Sequence, residues 1–275
     1  MWALIYVAAF IAAFLIGAAS KAAKPSWTKD YTADWNDSVG TVHKDISYGE
    51  AESNTFDLYV AAGINYTLRN EAHPEASVYS QSMEIKESVP VVIAEAKRLG
   101  YPINEMAISG GSAGHCLAML YAYRDAADSP VPVRMVFGAV GPSSFYPQDW
   151  GCYGLDKNTS ESREAAAGLF GIMAGKVITA DMFGTPAYDE AMKDISALLW
   201  VDDDTVPSLM AYGKHDKVQA FEASLRLDEA LTAHNIPHDY IVLEHSGHGL
   251  QNDNREFHKY YQKIEEYLDK YMPVN

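Results

Sequence analysis

Ser112 stands in a stretch whose residue types and spacing permit nucleophilic catalysis. The stretch reads Gly110-Gly111-Ser112-Ala113-Gly114, the pattern G-x-S-x-G, between one run that predicts a strand and another that predicts a helix. A serine at such a corner takes a strained backbone, and small residues two positions away let strand and helix approach. The first N–H groups of the helix point their partial positive charge towards the serine. We therefore predict Ser112 as a nucleophile; the alternative is a tight turn with an idle serine.

A serine hydroxyl is a poor nucleophile until a base takes its proton, so we look for that base among the nine histidines. His248 is the best candidate, because it lies between two glycines in HSGHG, directly after the last predicted strand. That loop lies at the carboxyl edge of the predicted sheet, which is also the edge of Ser112. His245 is the rival at the strand end. His115 follows Ser112 closely, but the start of a helix directs it away from the hydroxyl.

The base in turn needs a carboxylate that holds its tautomer and stabilises the imidazolium. Asp216, in YGKHDKV, follows the penultimate predicted strand and gives the chain order Ser, Asp, His. Asp239 and Glu244 lie in or beside the last strand and fit less well. The acidic run at 202–204 precedes a strand, at the wrong edge of the sheet, and is interpreted as a solvated turn.

The elements that must position these residues alternate between strand and helix. Predicted strands cover 41–49, 54–60, 61–68 (as a buried strand), 104–110, 133–140, 207–213 and 238–245. Predicted helices cover 76–99, 113–127 and 219–234, followed by a C-terminal helix with an aromatic stripe from Phe257 to Tyr271; Pro90 should kink or split the first. This alternation indicates an α/β fold with a mostly parallel sheet and helices on both faces.

Residues 142–200 interrupt the alternation just beyond a predicted strand end. They are aromatic, contain glycine and show no long periodic run. We predict a cap-like insertion whose Phe145, Tyr146, Trp150 and Tyr153 supply an apolar wall to the site. The alternative is a surface insertion that does not contact the substrate.

Length and composition bound the function further. The 275 residues suit one large α/β domain, and a formal net charge of −16 argues against nucleic acid or an anionic membrane surface as a partner. Cys116 and Cys152 form neither a disulfide framework nor a metal-binding spacing. No metal and no organic cofactor is expected.

The N-terminus carries an uncharged, mostly apolar run at residues 2–19. We interpret residues 1–25 as a signal peptide or an N-terminal membrane anchor, with a buried soluble helix as the alternative. The protein is therefore expected to be membrane-anchored or secreted, and a cytoplasmic location stays open.

The chain resembles the α/β-hydrolase family, in particular the esterase/lipase branch that includes acetyl-xylan and feruloyl-type carbohydrate esterases. The matching stretches are INYTLRNEAHPEAS (64–77), ISGGSAGH (108–115), VGPSSFYPQDW (140–150), VPSLMAYGKHDKV (206–218) and HSGHGL (245–250). The resemblance implies an α/β-hydrolase domain over 40–275, with Ser112 as nucleophile, Asp216 as acid and His248 as base. It also implies hydrolysis of a small or carbohydrate-linked carboxylic ester through an acyl-enzyme, with the Ala113 N–H in the oxyanion hole.

The sequence departs from this family at the oxyanion loop. Relatives carry an HGGG-type loop after an early strand, whereas this chain contains no HGG. The segments that flank the loop in relatives, 58–60 and 63–66, abut here, so about 30 residues of one strand–helix unit are missing. We expect impaired activity, with the backbone at 60–64, including Gly63, as the nearest substitute donor.

Two other functions compete with a serine esterase. A non-catalytic or impaired α/β-hydrolase-like protein is favoured by the absent loop and opposed by the intact serine, aspartate and histidine positions. A serine peptidase shares the fold and the order of the triad, and fold analogy alone does not separate ester from amide substrates.

Overall fold

A four-stranded parallel sheet forms the centre of the molecule. The computed structural model describes residues 43–58 and 62–273. Within them the sheet has the order β4-β5-β6-β7, with strands β4 Met106–Gly111, β5 Val133–Ala139, β6 Ser208–Gly213 and β7 His238–Leu243. Every residue of β6 is buried, so both faces of the sheet are covered there. The expected α/β class with a parallel sheet is confirmed.

A separate three-stranded antiparallel sheet precedes the parallel one. It consists of β1 His43–Ser47, β2 Thr55–Leu58 and β3 Ala62–Ile64, in that order. The prediction of a buried strand over 61–68 is wrong, because among the described residues 62–68 only Ala62–Ile64 forms a strand and its first two residues are exposed. An apolar run too short to show a period carries no information about which sheet it joins. Among the described residues β4 pairs only with β5, so its other edge has no partner strand.

Six α-helices in the described part of the chain pack around these sheets. They are α1 Val78–Arg98, α2 Ala113–Leu120, α3 Ser160–Ala174, α4 Pro186–Met192, α5 Phe221–Ala233 and α6 Asn254–Tyr271. Helix α1 is continuous through Pro90, so Pro90 does not split it into two helices. Pro90 lies on the exposed side, while Ile85, Val89 and Val92 anchor the buried side. Packing of that side outweighs the one hydrogen bond that proline removes.

The helix behind Ser112 changes its winding along its length. The α-helical part ends at Leu120, and a π-helical turn, Tyr121–Asp125, and a 3₁₀ turn, Ala126–Asp128, complete the predicted helix. Cys116 is a buried free thiol in the α-helical part, and Cys152 is an exposed one. Burial raises the pKa of Cys116 to about 12, which keeps this thiol inert.

The predicted N-terminal signal or anchor, residues 1–25, lies outside the described residues. No helix within residues 43–58 and 62–273 is long and apolar enough to cross a membrane.

Candidate active site

Ser112 sits at the corner between β4 and α2 in a strained conformation. Its φ of 53° and ψ of −121° lie in a region that non-glycine residues rarely occupy, at a cost of about 1–3 kcal/mol. The Ser112 N–H donates to the Ala139 carbonyl at the end of β5, 2.8 Å away. The Ser112 carbonyl accepts from the N–H groups of His115 and Cys116 at 3.0 and 3.1 Å. The backbone is therefore fixed from both sides.

The three glycines around Ser112 are not equivalent. A Cβ at Gly110 would lie 2.2 Å from the Gly114 carbonyl carbon, so β4 and α2 approach too closely for a side chain there. At Gly111 and Gly114 a Cβ would meet no heavy atom within 4 Å. The prediction that small residues let the strand and the helix approach is therefore confirmed for Gly110. A side chain at Gly114 would cause no clash; only the backbone of Gly114 packs against Gly110.

Ser112, His248 and Asp216 form a continuous chain of hydrogen bonds. Ser112 Oγ lies 2.8 Å from His248 Nε2, and His248 Nδ1 lies 2.7 Å from Asp216 Oδ2. An ionised carboxylate only accepts, so Nδ1 carries the proton and Nε2 is left to accept from the serine hydroxyl. The Asp216 side chain is 1% exposed and that of His248 28% exposed. The three residues selected from the sequence thus meet at one edge of the sheet.

The carboxylate of Asp216 is held by the loop that follows β6. Its Oδ1 accepts from the N–H groups of Val218 and Gln219 at 2.8 and 2.9 Å. With Oδ1 bound by the backbone, Oδ2 is left facing the imidazole. The orientation of His248 is therefore set by a buried acceptor that does not rotate.

Asp253, which the sequence did not single out, organises the loop that carries His248. Its carboxylate accepts from the Ser246 hydroxyl at 2.6 Å, from the His245 N–H at 2.9 Å and from His245 Nδ1 at 2.7 Å. The Ser246 hydrogen bond is the main cause that lowers the pKa of Asp253. An aspartate just before a helix indicates an N-cap, but this side chain makes no cap bond to α6. The sequence therefore held no signal for its actual role.

The two rival histidines make other contacts. The His245 side chain is 79% exposed, and its bond to Asp253 raises its pKa. His115 is fully buried, and its Nδ1 accepts from the Gly141 N–H at 3.2 Å. Burial lowers the pKa of His115 to about 3, so the ring is neutral. Ser112 Oγ bonds His248 rather than either of these residues.

The aromatic wall predicted from 142–200 is wrong for two of its four residues. Phe145 and Trp150 are buried and stack on each other and on Phe170, so they belong to the core. Tyr153 is half-exposed, and its hydroxyl donates to the Val218 carbonyl on the Asp216 loop. The aromatic residues of this segment follow no regular period, so the sequence did not distinguish those that face the core from those that face outward.

The predicted oxyanion donor, the Ala113 N–H, lies at the start of α2. The N–H groups of Ala113 and Gly114 open α2 and, like those of any first helical turn, have no carbonyl one turn earlier to bond. Gly63 lies in β3 opposite Asp57 of β2, and residues 59–61 lie outside the described residues. Within the described ranges no group of three or more His, Cys, Asp or Glu side chains could hold a metal ion.

A parallel sheet with a strained strand–helix corner and a Ser-His-Asp chain at its carboxyl edge defines an α/β-hydrolase fold. The profile of the BD-FAE family, an α/β-hydrolase-type esterase family, matches residues 33–231 of the 275. The chain belongs to the BD-FAE family. None of the curated proteins matches it in sequence.

Solved structures support the same fold at low sequence identity. A truncated carbohydrate esterase from gut microbiota superposes with a TM-score of 0.61 at 16% identity, covering 84% of this chain and 95% of that one. Esterase B from Lactobacillus rhamnosis gives 0.58 at 14%, covering 95% and 93%. An acetyl ester-xyloside bifunctional hydrolase from Caldicellulosiruptor lactoaceticus gives 0.54 at 18%, covering 78% and 72%. At these identities the likeness shows the fold alone.

Proposed function

We propose that the protein is a serine carboxylic ester hydrolase that acts through an acyl-enzyme on a small or carbohydrate-linked ester. Membership of an esterase family supports the reaction class. The observation that carries the proposal is the unbroken chain from Ser112 Oγ through His248 to the buried Asp216 carboxylate. A tight turn with an idle serine needs no such chain.

In the proposed reaction His248 Nε2 takes the hydroxyl proton as Ser112 Oγ attacks the ester carbonyl carbon. Asp216 stabilises the imidazolium that forms and keeps the ring in its productive tautomer. The tetrahedral intermediate collapses, and His248 returns the proton to the leaving alcohol. A water molecule then attacks the acyl-enzyme by the same route and releases the acid.

The proposed oxyanion hole contains the Ala113 N–H and lacks the family's HGGG-type loop. Removal of one oxyanion donor typically lowers turnover about 10²–10³-fold, or about 3–4 kcal/mol in barrier. We therefore propose a functional triad with weakened stabilisation of the developing charge. Activity should be low compared with relatives that carry the loop.

The test combines turnover with covalent labelling. Purified protein should hydrolyse p-nitrophenyl acetate and react with a fluorophosphonate at Ser112, and Ser112→Ala should abolish both. Ser109→Ala, three residues earlier and exposed on β4, is the matched control and should change neither. Wild-type turnover in Ser112→Ala would contradict the proposal.

A non-catalytic α/β-hydrolase-like protein is the second candidate. The unpaired edge of β4 in the described residues and the absence of HGG favour it. Folded wild-type protein that neither hydrolyses the ester nor reacts with the fluorophosphonate would establish this alternative. Faster cleavage of a peptide p-nitroanilide than of the ester would instead indicate a serine peptidase.

A further inference from the structure

His115 occupies a space that the surrounding backbone leaves open for its ring. It is the third residue of α2, fully buried, and its ring lies 6.0 Å from that of Tyr212 between centroids. A Cβ at Gly138 would come within 2.3 Å of His115 Cδ2, and one at Gly141 within 2.6 Å of His115 Cβ. Neither Gly138 nor Gly141 therefore has room for a side chain beside the imidazole ring.

The ring binds a turn that is itself strained. His115 Nδ1 accepts from the Gly141 N–H, and the Tyr212 hydroxyl donates to the Gly141 carbonyl at 2.8 Å. Val140, one residue earlier, has a φ of 51° and donates its N–H to the Ala211 carbonyl at 2.9 Å. A β-branched residue with positive φ is a genuine outlier, so this turn needs external contacts to persist.

The strained turn is connected directly to the nucleophile. Ala139, which precedes Val140, accepts the Ser112 N–H. The contacts therefore form a closed circuit from Ser112 along the first turn of α2 to His115, across to Gly141, and back through Ala139. Ser112 has a strained backbone and belongs to the same circuit of contacts. Loss of any contact in this circuit would release backbone strain at both Ser112 and Val140.

We propose that His115 is a positioning residue, whose Nδ1 holds the Gly141 N–H and thereby keeps Ser112 in its strained, attack-ready conformation. Its role rests on the proposed serine hydrolase function. The ring acts only as an acceptor towards Gly141, which fits its neutral state. Without that acceptor the buried Gly141 N–H has no partner, and the turn is expected to shift to find one.

The variants separate hydrogen bonding from packing. His115→Leu fills much of the space without an acceptor, whereas His115→Asn offers its Oδ1 near the position of Nδ1. Tyr212→Phe removes the second contact to Gly141. Tyr123→Phe is the matched control, because it removes a part-buried tyrosine hydrogen bond, Tyr123 to Ser208 at 2.7 Å, at the opposite end of β6.

We expect His115→Leu to lower kcat for p-nitrophenyl acetate about tenfold to a hundredfold, with KM changed less than about twofold. The rate of fluorophosphonate labelling should fall in parallel. His115→Asn should restore most of the loss, Tyr212→Phe should lower kcat in the same direction, and Tyr123→Phe should lower the unfolding temperature without lowering kcat. Amide hydrogen exchange at Ser112 and Gly141 should become about tenfold faster in His115→Leu than in wild type or Tyr123→Phe.

Three results would overturn the role of His115: unchanged kcat in folded His115→Leu, no recovery in His115→Asn, or an equal loss of kcat in Tyr123→Phe. If His115→Leu fails to fold, the other two variants still test the role: His115→Asn should keep most of the wild-type kcat and Tyr212→Phe should lower it. The opposite result in either variant would overturn the role. Wild-type protein without turnover or labelling overturns the proposed function instead. The exchange measurement still decides in that case, because unchanged exchange at Ser112 shows that His115 does not hold the turn.

Discussion

Replacement of Gly110 by alanine probes the contact that brings Ser112 to its corner. The added Cβ would lie 2.2 Å from the Gly114 carbonyl carbon, 2.3 Å from its oxygen and 2.6 Å from the His115 N–H nitrogen. All three are backbone atoms, so no side chain can rotate away. Contacts below 3.0 Å essentially never occur for a real Cβ, so α2 and β4 must separate by about 1 Å.

A shift of that size affects stability and turnover together. Overpacking of this kind costs about 1–3 kcal/mol in the free energy of unfolding. Displacing a nucleophile by about 1 Å from its base costs about a hundredfold in kcat. We expect Gly110→Ala to show both effects, measured by thermal unfolding and by hydrolysis of p-nitrophenyl acetate.

Gly114→Ala is the control for this prediction, because its Cβ meets no heavy atom within 4 Å and its φ is not positive. Alanine should stabilise this first helical turn by about 0.5–1 kcal/mol and leave kcat within about twofold. A rise in KM alone would indicate that the open space beside Gly114 receives substrate. Wild-type kcat in Gly110→Ala, or an equal loss in Gly114→Ala, would refute the close-approach argument.

Three further predictions concern the acid, the His248 loop and the missing oxyanion loop. Asp216→Asn should lower kcat by up to ~10⁴-fold through the wrong histidine tautomer while labelling remains detectable; a loss below tenfold would contradict its role. Because the folded pKa of Asp253 is lowered, its contribution to stability is present above its ordinary value of 3.8 and lost as the pH falls through the folded pKa. The unfolding temperature of Asp253→Asn should accordingly depend less on pH below about pH 5 than that of wild type, and parallel curves would argue against this linkage. Insertion of a relative's strand–loop–helix unit between Val60 and Ala61 should raise turnover roughly a hundredfold, and no gain in a well-folded variant would count against an impaired oxyanion hole.

The three proposed catalytic residues could be selected from the sequence because a parallel sheet brings the carboxyl ends of its strands to one edge. Ser112 follows β4, Asp216 follows β6 and His248 follows β7, so the order of the elements determined their meeting. The residue patterns within the strands and helices were therefore enough to predict that these three residues lie at the same edge of the sheet. The role of Asp253 was missed because its contacts to Ser246 and His245 depend on how a loop folds back on itself.

The early part of the chain was harder to predict for a different reason. Residues 61–68 are apolar enough for a central strand, yet of the described residues 62–68 only three pair, and they pair with β2 in the small antiparallel sheet. A strand's partner is decided by topology and not by its own residues. Phe145 and Trp150 show the same limit, since both read as a wall of the site but pack against Phe170 in the core.

The location of backbone strain bears on whether the site is built for chemistry. Among the described residues five that are not glycine have a positive φ, and two of them, Asn158 and Asn235, are of a type that tolerates it. The other three are Ser112, Val140 and Leu250: the proposed nucleophile, the turn beside it, and the residue two positions after His248. Each costs about 1–3 kcal/mol relative to a relaxed backbone and persists only where neighbours hold it. A scaffold that merely bound a ligand would be more stable with glycine or asparagine at these positions. The strain therefore favours a preorganised arrangement of the three proposed catalytic residues over a scaffold that only binds a ligand.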